Sequence, residues 1–367
     1  MSRPSTPSSS SIGPSVPAER LSVHDWQREA AAALDEGALG YLEGGAGDER
    51  ALRETMAAFA RIRFLPRMLA GIAEPELATT VIGTRISLPV IVAPVGHQRL
   101  FHPDGEVAVA RASAAAGTVM CVSTMANTSV EEIAIEAPAA DLWYQLYPRI
   151  DRGHRRELVQ RAEDSGCTAI VVTVDVQSLG RRERDLRSGF RLAPTMPMPN
   201  LHREGEHPGT LGDIASVLEP ALSWADIDEI RSWTRLPLLL KGLLHTGDAV
   251  LAAEHGCAGV IVSNHGGRQL EGTVAPIDAL PRVADAVGDR LELYVDSGVR
   301  RGVDVLAALA LGARAVLLGR PAMYGLAVAG EAGVVAVLDL LRTELRNAMH
   351  LAGVASASAV PRDIIWS

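Results

Sequence analysis

The sequence predicts a closed parallel α/β barrel, a (β/α)8 TIM barrel, and three observations carry that prediction. Eight short apolar, β-rich runs punctuate the chain from residue 89 onward. Helical patterns lie between most of them. The chain has 367 residues, 47% hydrophobic and 22% charged, which is ordinary globular composition and enough for one large barrel. The alternative is a doubly wound open sheet. That fold usually has fewer strands and a Gly-rich turn after the first, whereas the first run here ends Ala93-Pro94-Val95-Gly96-His97.

Residues 1 to 18 are rich in Ser and Pro and lack the apolar core of a signal peptide. They read as a disordered tail, with 19–367 as a single domain. Apolar spacing predicts a helix over 23–42, broken by Glu43-Gly44-Gly45-Ala46-Gly47-Asp48, and a second helix over 49–59. The eight strand candidates are 89–94, 119–124, 142–147, 169–175, 237–242, 259–264, 291–296 and 315–319. Most are continuously apolar, as parallel strands buried on both faces are. Helices are expected over 105–116, 152–165, 246–255, 277–287 and 303–311. The segment 187–223 breaks the rhythm with Pro194, Pro197, Pro199, Pro208 and Pro220. It follows the fourth strand, so it is expected over the C-terminal face of the barrel as a lid or mobile segment.

The formal net charge is −9, and no basic run occurs, which argues against nucleic acid as a partner. No stretch of about 18 uncharged apolar residues argues for a membrane span. Cys121, Cys167 and Cys257 are too few and too scattered for a disulfide framework or a zinc site, and read as buried thiols in a reducing cytoplasm. Of the 35 Lys and Arg residues, only Lys241 is lysine.

Polar residues gather at the C-terminal ends of the proposed strands: Ser123, Gln145, Tyr147, Thr173, Asp175, Lys241, Ser263, Asp296, Ser297, Gly319 and Arg320. Any one of them fits a cap or a satisfied hydrogen bond. Together on one rim they point to chemistry. Lys241 follows Pro237 and three leucines, and a compact ammonium there suits a single developing anion. His265-Gly266-Gly267-Arg268 puts a general base near a carboxylate clamp. Asp175 is the candidate carboxylate to orient His265. The segments around Gly298, Arg300, Gly319 and Arg320, after the last two strands, suit a phosphate.

In order along the chain, Tyr41-Leu-Glu-Gly-Gly-Ala, Ile91-Val-Ala-Pro-Val-Gly, Gln145-Leu-Tyr147, Thr173-Val-Asp175, Leu179-Gly-Arg-Arg182 and Leu240-Lys-Gly242 precede Ser263-Asn-His-Gly-Gly-Arg-Gln-Leu270. Asp296-Ser-Gly-Val-Arg-Arg-Gly302 and Leu318-Gly-Arg-Pro321 follow it. This set resembles the FMN-dependent 2-hydroxy acid oxidase/dehydrogenase family, the family of glycolate oxidase, over nearly the whole chain after the tail. The resemblance implies FMN as cofactor and His265 as the group that takes a proton from the substrate while a hydride or its equivalent reaches the flavin. It implies Asp175 in support of His265, and Arg182, Arg268, Tyr41 and Tyr147 on the substrate. Lys241 is implied beside flavin N1 and O2. Val95, Gly96, Ser123, Gln145, Thr173 and Ser263 are implied around the isoalloxazine. Asp296, Ser297, Gly298, Arg300, Gly319 and Arg320 are implied on the ribityl and phosphate. A homotetramer is implied as well.

Three departures from glycolate oxidase stand out: Gly96 replaces Ala, Met125 replaces Trp, and Ser297 replaces Gly. Gly96 bears on oxygen reactivity, Met125 on room for a larger substrate, and Ser297 is a mild change. The segment 94–106 looks closest to bacterial hydroxymandelate oxidases. The expected function is therefore oxidation of an aryl or bulky (S)-2-hydroxy acid to the 2-oxo acid, with O2 reduced to hydrogen peroxide. The alternatives are a dehydrogenase with another acceptor, an oxidative decarboxylase, and a non-catalytic flavin- or phosphate-binding barrel.

Overall fold

In the computed structural model, residues 20–193, 196–201 and 216–366 are described. The Ser/Pro-rich tail lies outside them. Eight parallel strands close into a barrel: β3 (Val90–Val92), β4 (Val119–Ser123), β5 (Asp141–Leu146), β6 (Ala169–Thr173), β7 (Leu238–Leu243), β8 (Gly259–Val262), β9 (Glu292–Val295) and β10 (Ala315–Leu318). β10 pairs β3 and so seals the ring. All eight predicted strands are present. A short antiparallel hairpin, β1 (Thr79–Val81) and β2 (Thr84–Ile86), precedes them and was not legible as strand.

Side chains alternate across each strand. One parity faces the surrounding helices, as Val122, Tyr144, Val172 and Leu240 do. The other fills the barrel with Ile91, Cys121, Trp143, Val171, Leu239, Ile261, Tyr294 and Leu317. Two residues further along that inner parity come Ser123, Gln145, Thr173, Lys241, Ser263 and Asp296. The core therefore turns polar at its C-terminal end, and this layer is the floor of the site.

The expected single helix 23–42 is two: α1 (Val23–Ala33) and α2 (Glu36–Glu43). Asp35 divides them, because its carboxylate accepts from Ala38 N at 2.8 Å as the N-cap of α2. α3 (Arg50–Arg61) follows the glycine break. Among the described residues, four helices were not anticipated: Val130–Glu136, Glu183–Ser188, Trp224–Ser232 and Arg320–Ala352. The last is apolar and long enough to cross a membrane by composition alone. Non-helical backbone at Ala329 and Gly330 interrupts it, and it packs on α1 and on the helices Gly105–Ala116 and Gly302–Ala310.

The excursion after β6 was expected as loop from 187. Its first residues belong to the helix Glu183–Ser188 instead. Its described parts are pinned beside the barrel mouth. Asn200 is buried, accepts from Val130 N and donates to Thr128 O, both at 3.0 Å. Ile150 N donates to Val217 O at 3.0 Å. Leu192, Met198, Leu201 and Leu218 form a satellite cluster with Met125, Tyr147 and Val176.

Candidate active site

A cavity of about 1090 Å³, open to solvent, sits on the polar floor at the C-terminal ends of the strands. Within the floor, Ser123 Oγ donates to Gln145 Oε1 at 3.3 Å, and Gln145 Nε2 donates to Thr173 Oγ1 at 3.0 Å. Lys241 is 4% exposed. Its Nζ lies 3.0 Å from Asp296 Oδ2 and donates to Ser263 Oγ at 3.2 Å. Burial works against its charge, but Asp296 and Asp175 outweigh burial and hold its pKa above the ordinary lysine value. The ammonium is therefore fully charged and fixed.

The next residue, Gly242, adopts φ +108°, and a Cβ there would lie 2.5 Å from Asp175 Cγ. Only glycine lets β7 pass this close to the carboxylate. Asp175 Oδ1 meets His265 Nδ1 at 3.0 Å. Burial pushes the Asp175 carboxyl up, yet His265 and Lys241 prevail and hold it below the usual carboxylate range. An anionic Asp175 fixes the proton on His265 Nδ1 and leaves Nε2 as a lone pair. Burial lowers the pKa of His265; Asp175 opposes this, and Lys241 and Arg182 assist it. His265 is therefore a neutral, oriented base at ordinary pH. Its Nε2 lies 3.4 Å from Tyr147 Oη.

Beside this base stand two guanidiniums that form no ion pair among the described residues, with the buried carboxyl of Asp185, whose pKa burial raises, as the nearby acid. Arg268 donates to Tyr41 O at 2.7 Å and Gly44 O at 2.8 Å, and its Cζ lies 4.9 Å over the Tyr41 ring. Burial and the neighbouring Arg182 lower its pKa to about 9. Arg182 lines the same cavity and keeps Nε buried without a partner. Two adjacent cations of this kind call for an anion, and a carboxylate fits their fork geometry.

At the far end, Gly298, Arg300, Gly319 and Arg320 line the cavity together. Among the described residues Arg320 donates to backbone carbonyls alone, of Leu42, Gly266 and Gly44. Burial lowers its pKa, and Arg300 nearby adds to that. Arg300 Nε is buried without a partner. Among the described residues neither makes an ion pair, so this end suits an anion.

The structure thus gathers every predicted residue. Tyr41, Val95, Gly96, Ser123, Tyr147, Arg182, Lys241, His265, Arg268, Asp296, Ser297, Gly298, Arg300, Gly319 and Arg320 line the cavity. Gln145, Thr173, Asp175 and Ser263 stand behind it, hydrogen-bonded to lining residues or to one another.

Reading from sequence missed three contributions. Val176 and Leu179 form an apolar wall with Met125. Phe190 stacks on Tyr41 with centroids 5.5 Å apart. Gln269 Nε2 donates to the carbonyls of Asp175 and Ser178, while its Oε1 accepts from Gly180 N at 3.2 Å. Gln269 thereby clamps the loop that carries Asp175 and Arg182. Its place beside Arg268 in the most specific motif was the available signal.

A barrel mouth with a cationic far end, a fixed lysine and an oriented base beside paired arginines defines an enzyme that works on a carboxylate next to an anionic cofactor. Residues 30–367 match the FMN-dependent dehydrogenase family. Human 2-hydroxyacid oxidase 1 is 41% identical over 94% of this chain and 96% of its own length. L-lactate oxidase of Nostoc is 44% identical over 91% and 94%. A solved structure of mandelate oxidase with benzoyl-formic acid superposes with a TM-score of 0.86 at 43% identity, covering 93% of this chain and 97% of that one. The chain belongs to the FMN-dependent dehydrogenase family, and its cofactor is FMN.

Proposed function

We propose that this enzyme oxidises an aryl or otherwise bulky (S)-2-hydroxy acid to the 2-oxo acid and uses O2 as acceptor, forming hydrogen peroxide. The observation that carries the reading is His265, oriented by Asp175, beside Arg182 and Arg268 in one cavity. The residues present suit FMN. Arg300, Arg320, Gly298 and Gly319 would hold the phosphate, with Asp296 and Ser297 along the ribityl chain. Lys241 would stand at N1 and O2. Val95, Gly96, Ser123, Gln145, Thr173 and Ser263 would surround the ring system. When bound, FMN supplies a two-electron acceptor.

The chain's own residues do the rest. Arg182 and Arg268 bind the substrate carboxylate, and Tyr41 and Tyr147 hydrogen-bond the substrate. His265 Nε2 takes one proton as the substrate carbon loses its hydride equivalent, and Asp175 stabilises the imidazolium that forms. Lys241, held by Asp296 and Ser263, would supply a fixed positive charge beside the bound FMN. Met125, Val176 and Leu179 offer an apolar wall to a large substrate side chain. That wall, and the absence of a bulky ring at position 125, supports mandelate over glycolate.

The test is reduction of bound flavin by mandelate, lactate and glycolate, followed by peroxide in air. Fastest bleaching by mandelate with stoichiometric peroxide is expected. Bleaching without peroxide would favour a dehydrogenase with another acceptor. Release of CO2 would favour the decarboxylating version. Fastest bleaching by glycolate would sink the bulky-substrate reading. A homotetramer in the cytoplasm completes the proposal. Exposed Leu65, Met68, Leu69, Leu351 and Trp366 support self-association, and three free buried cysteines suit a reducing compartment. Light scattering of the holoenzyme checks the subunit count.

A further inference from the structure

Ser297 holds a backbone conformation that serine rarely adopts, with φ +70°. Glycine would sit there without strain. The serine hydroxyl accepts from Gly266 N at 2.9 Å and donates to Asp296 Oδ1 at 2.7 Å. The other oxygen, Asp296 Oδ2, lies 3.0 Å from Lys241 Nζ. Lys241 Nζ donates to Ser263 Oγ at 3.2 Å, and Ser263 Oγ accepts from His265 N at 3.0 Å. His265 N and Gly266 N are one residue apart, so the bonds form a closed ring. Ser297 is the link that closes it, and glycine at that position would open it.

We propose that Ser297 is a positioning residue that couples the Lys241–Asp296 ion pair to the backbone of the His265 loop. Through Asp296 it sets how much of the lysine charge the flavin feels. With Ser297 in place, Asp296 gives one oxygen to the hydroxyl and one to the ammonium. Without the hydroxyl, Oδ1 is left buried without that donor. The carboxylate then turns both oxygens to Lys241 and neutralises it more completely. The ammonium offers less support to a reduced, anionic flavin, so the flavin becomes harder to reduce. This rests on the reading that Lys241 stands beside the pyrimidine end of FMN.

The experiment compares Ser297→Ala and Ser297→Gly with the parent holoenzyme, and includes Lys241→Met. Both serine variants should lower the flavin midpoint potential and slow flavin reduction about threefold to tenfold, with KM little changed. Glycine relieves the backbone strain, so apo Ser297→Gly should melt above apo Ser297→Ala while sharing its lowered potential. That split separates the hydrogen bonds from the strain. If both potentials equal the parent's while Lys241→Met lowers it, Ser297 is merely structural and the proposal is overturned. If Lys241→Met leaves the potential unchanged, the placement of Lys241 fails and takes this proposal with it.

Discussion

The two ends of the barrel interior are built from the same strands and the same side-chain parity, yet they obey opposite rules. At the N-terminal end Trp143 and Tyr294 meet edge to face, with centroids 5.4 Å apart, among Ile91, Val171, Leu239 and Ile261. Glu292 is tied down there by Tyr294 Oη and by Ile82 N from the β1–β2 hairpin. Two residues further along the strands the filling is Gln145, Thr173, Lys241, Ser263 and Asp296, all buried. Here Lys241 and Asp296 form a buried ion pair, His265 and Ser297 take left-handed backbone, and the Nε atoms of Arg182 and Arg300 are orphaned, against one orphaned Nε1 on Trp143 and left-handed Ile82 at the apolar end. Buried charge and strain cost stability unless something else holds them. The apolar end supplies that rigidity, so the polar end can be spent on chemistry.

The division predicts that the largest rate effect comes from one atom at the polar end. His265→Ala should keep FMN and slow flavin reduction by about 10³-fold, measured by stopped-flow bleaching. Normal bleaching would end the assignment of His265 as base. The opposite end should show the reverse split. Trp143→Ala removes a fully buried ring and should cost about 3–5 kcal/mol of stability, read by denaturant unfolding, with the rate per folded holoenzyme unchanged. A rate loss approaching that of His265→Ala would erase the distinction between the two ends. Smaller again is Lys241→Arg, which keeps the charge but replaces a compact ammonium, held by Asp296 and Ser263, with a longer planar fork. Flavin reduction should fall about a hundredfold. Near-normal reduction would mean that net charge alone suffices there.

The eight strands were legible because each is an apolar run fenced by turn residues, and a buried parallel strand needs nothing more. The helix Arg320–Ala352 was missed because its Gly- and Ala-rich first half carries no amphipathic rhythm, and its start doubles as the Arg320 segment of the site. Asp35 was read as part of a helix because a cap and a helical acid look alike until the backbone turns. Residue types at strand ends pointed to the site, and resemblance assigned their roles. Ser297 was read as a mild change because its effect lies in a ring of bonds that joins three separate chain segments, which linear spacing does not reveal. Gln269 was passed over for the same reason: its partners are backbone atoms of Asp175, Ser178 and Gly180, some ninety residues away.

The subtlest test concerns Asp175, which stands behind the cavity and acts through His265. Asp175→Asn removes the charge and keeps an acceptor, since the amide oxygen can still face His265 Nδ1–H. The tautomer therefore survives and Nε2 remains the basic atom. What is lost is the anion that opposes burial in setting the His265 pKa. With Asp175 gone, burial, Lys241 and Arg182 act unopposed and the His265 pKa falls further. The base works only when neutral, so kcat/KM climbs as pH rises through that pKa. The acid limb of the profile should accordingly move to lower pH in Asp175→Asn. The plateau should fall about tenfold, because the imidazolium formed in the reaction has lost its counter-charge. The two effects have opposite signs at low pH, so the variants' profiles should converge as pH decreases. An acid limb that stays in place, or moves to higher pH, would show that Asp175 does not set the ionisation of His265.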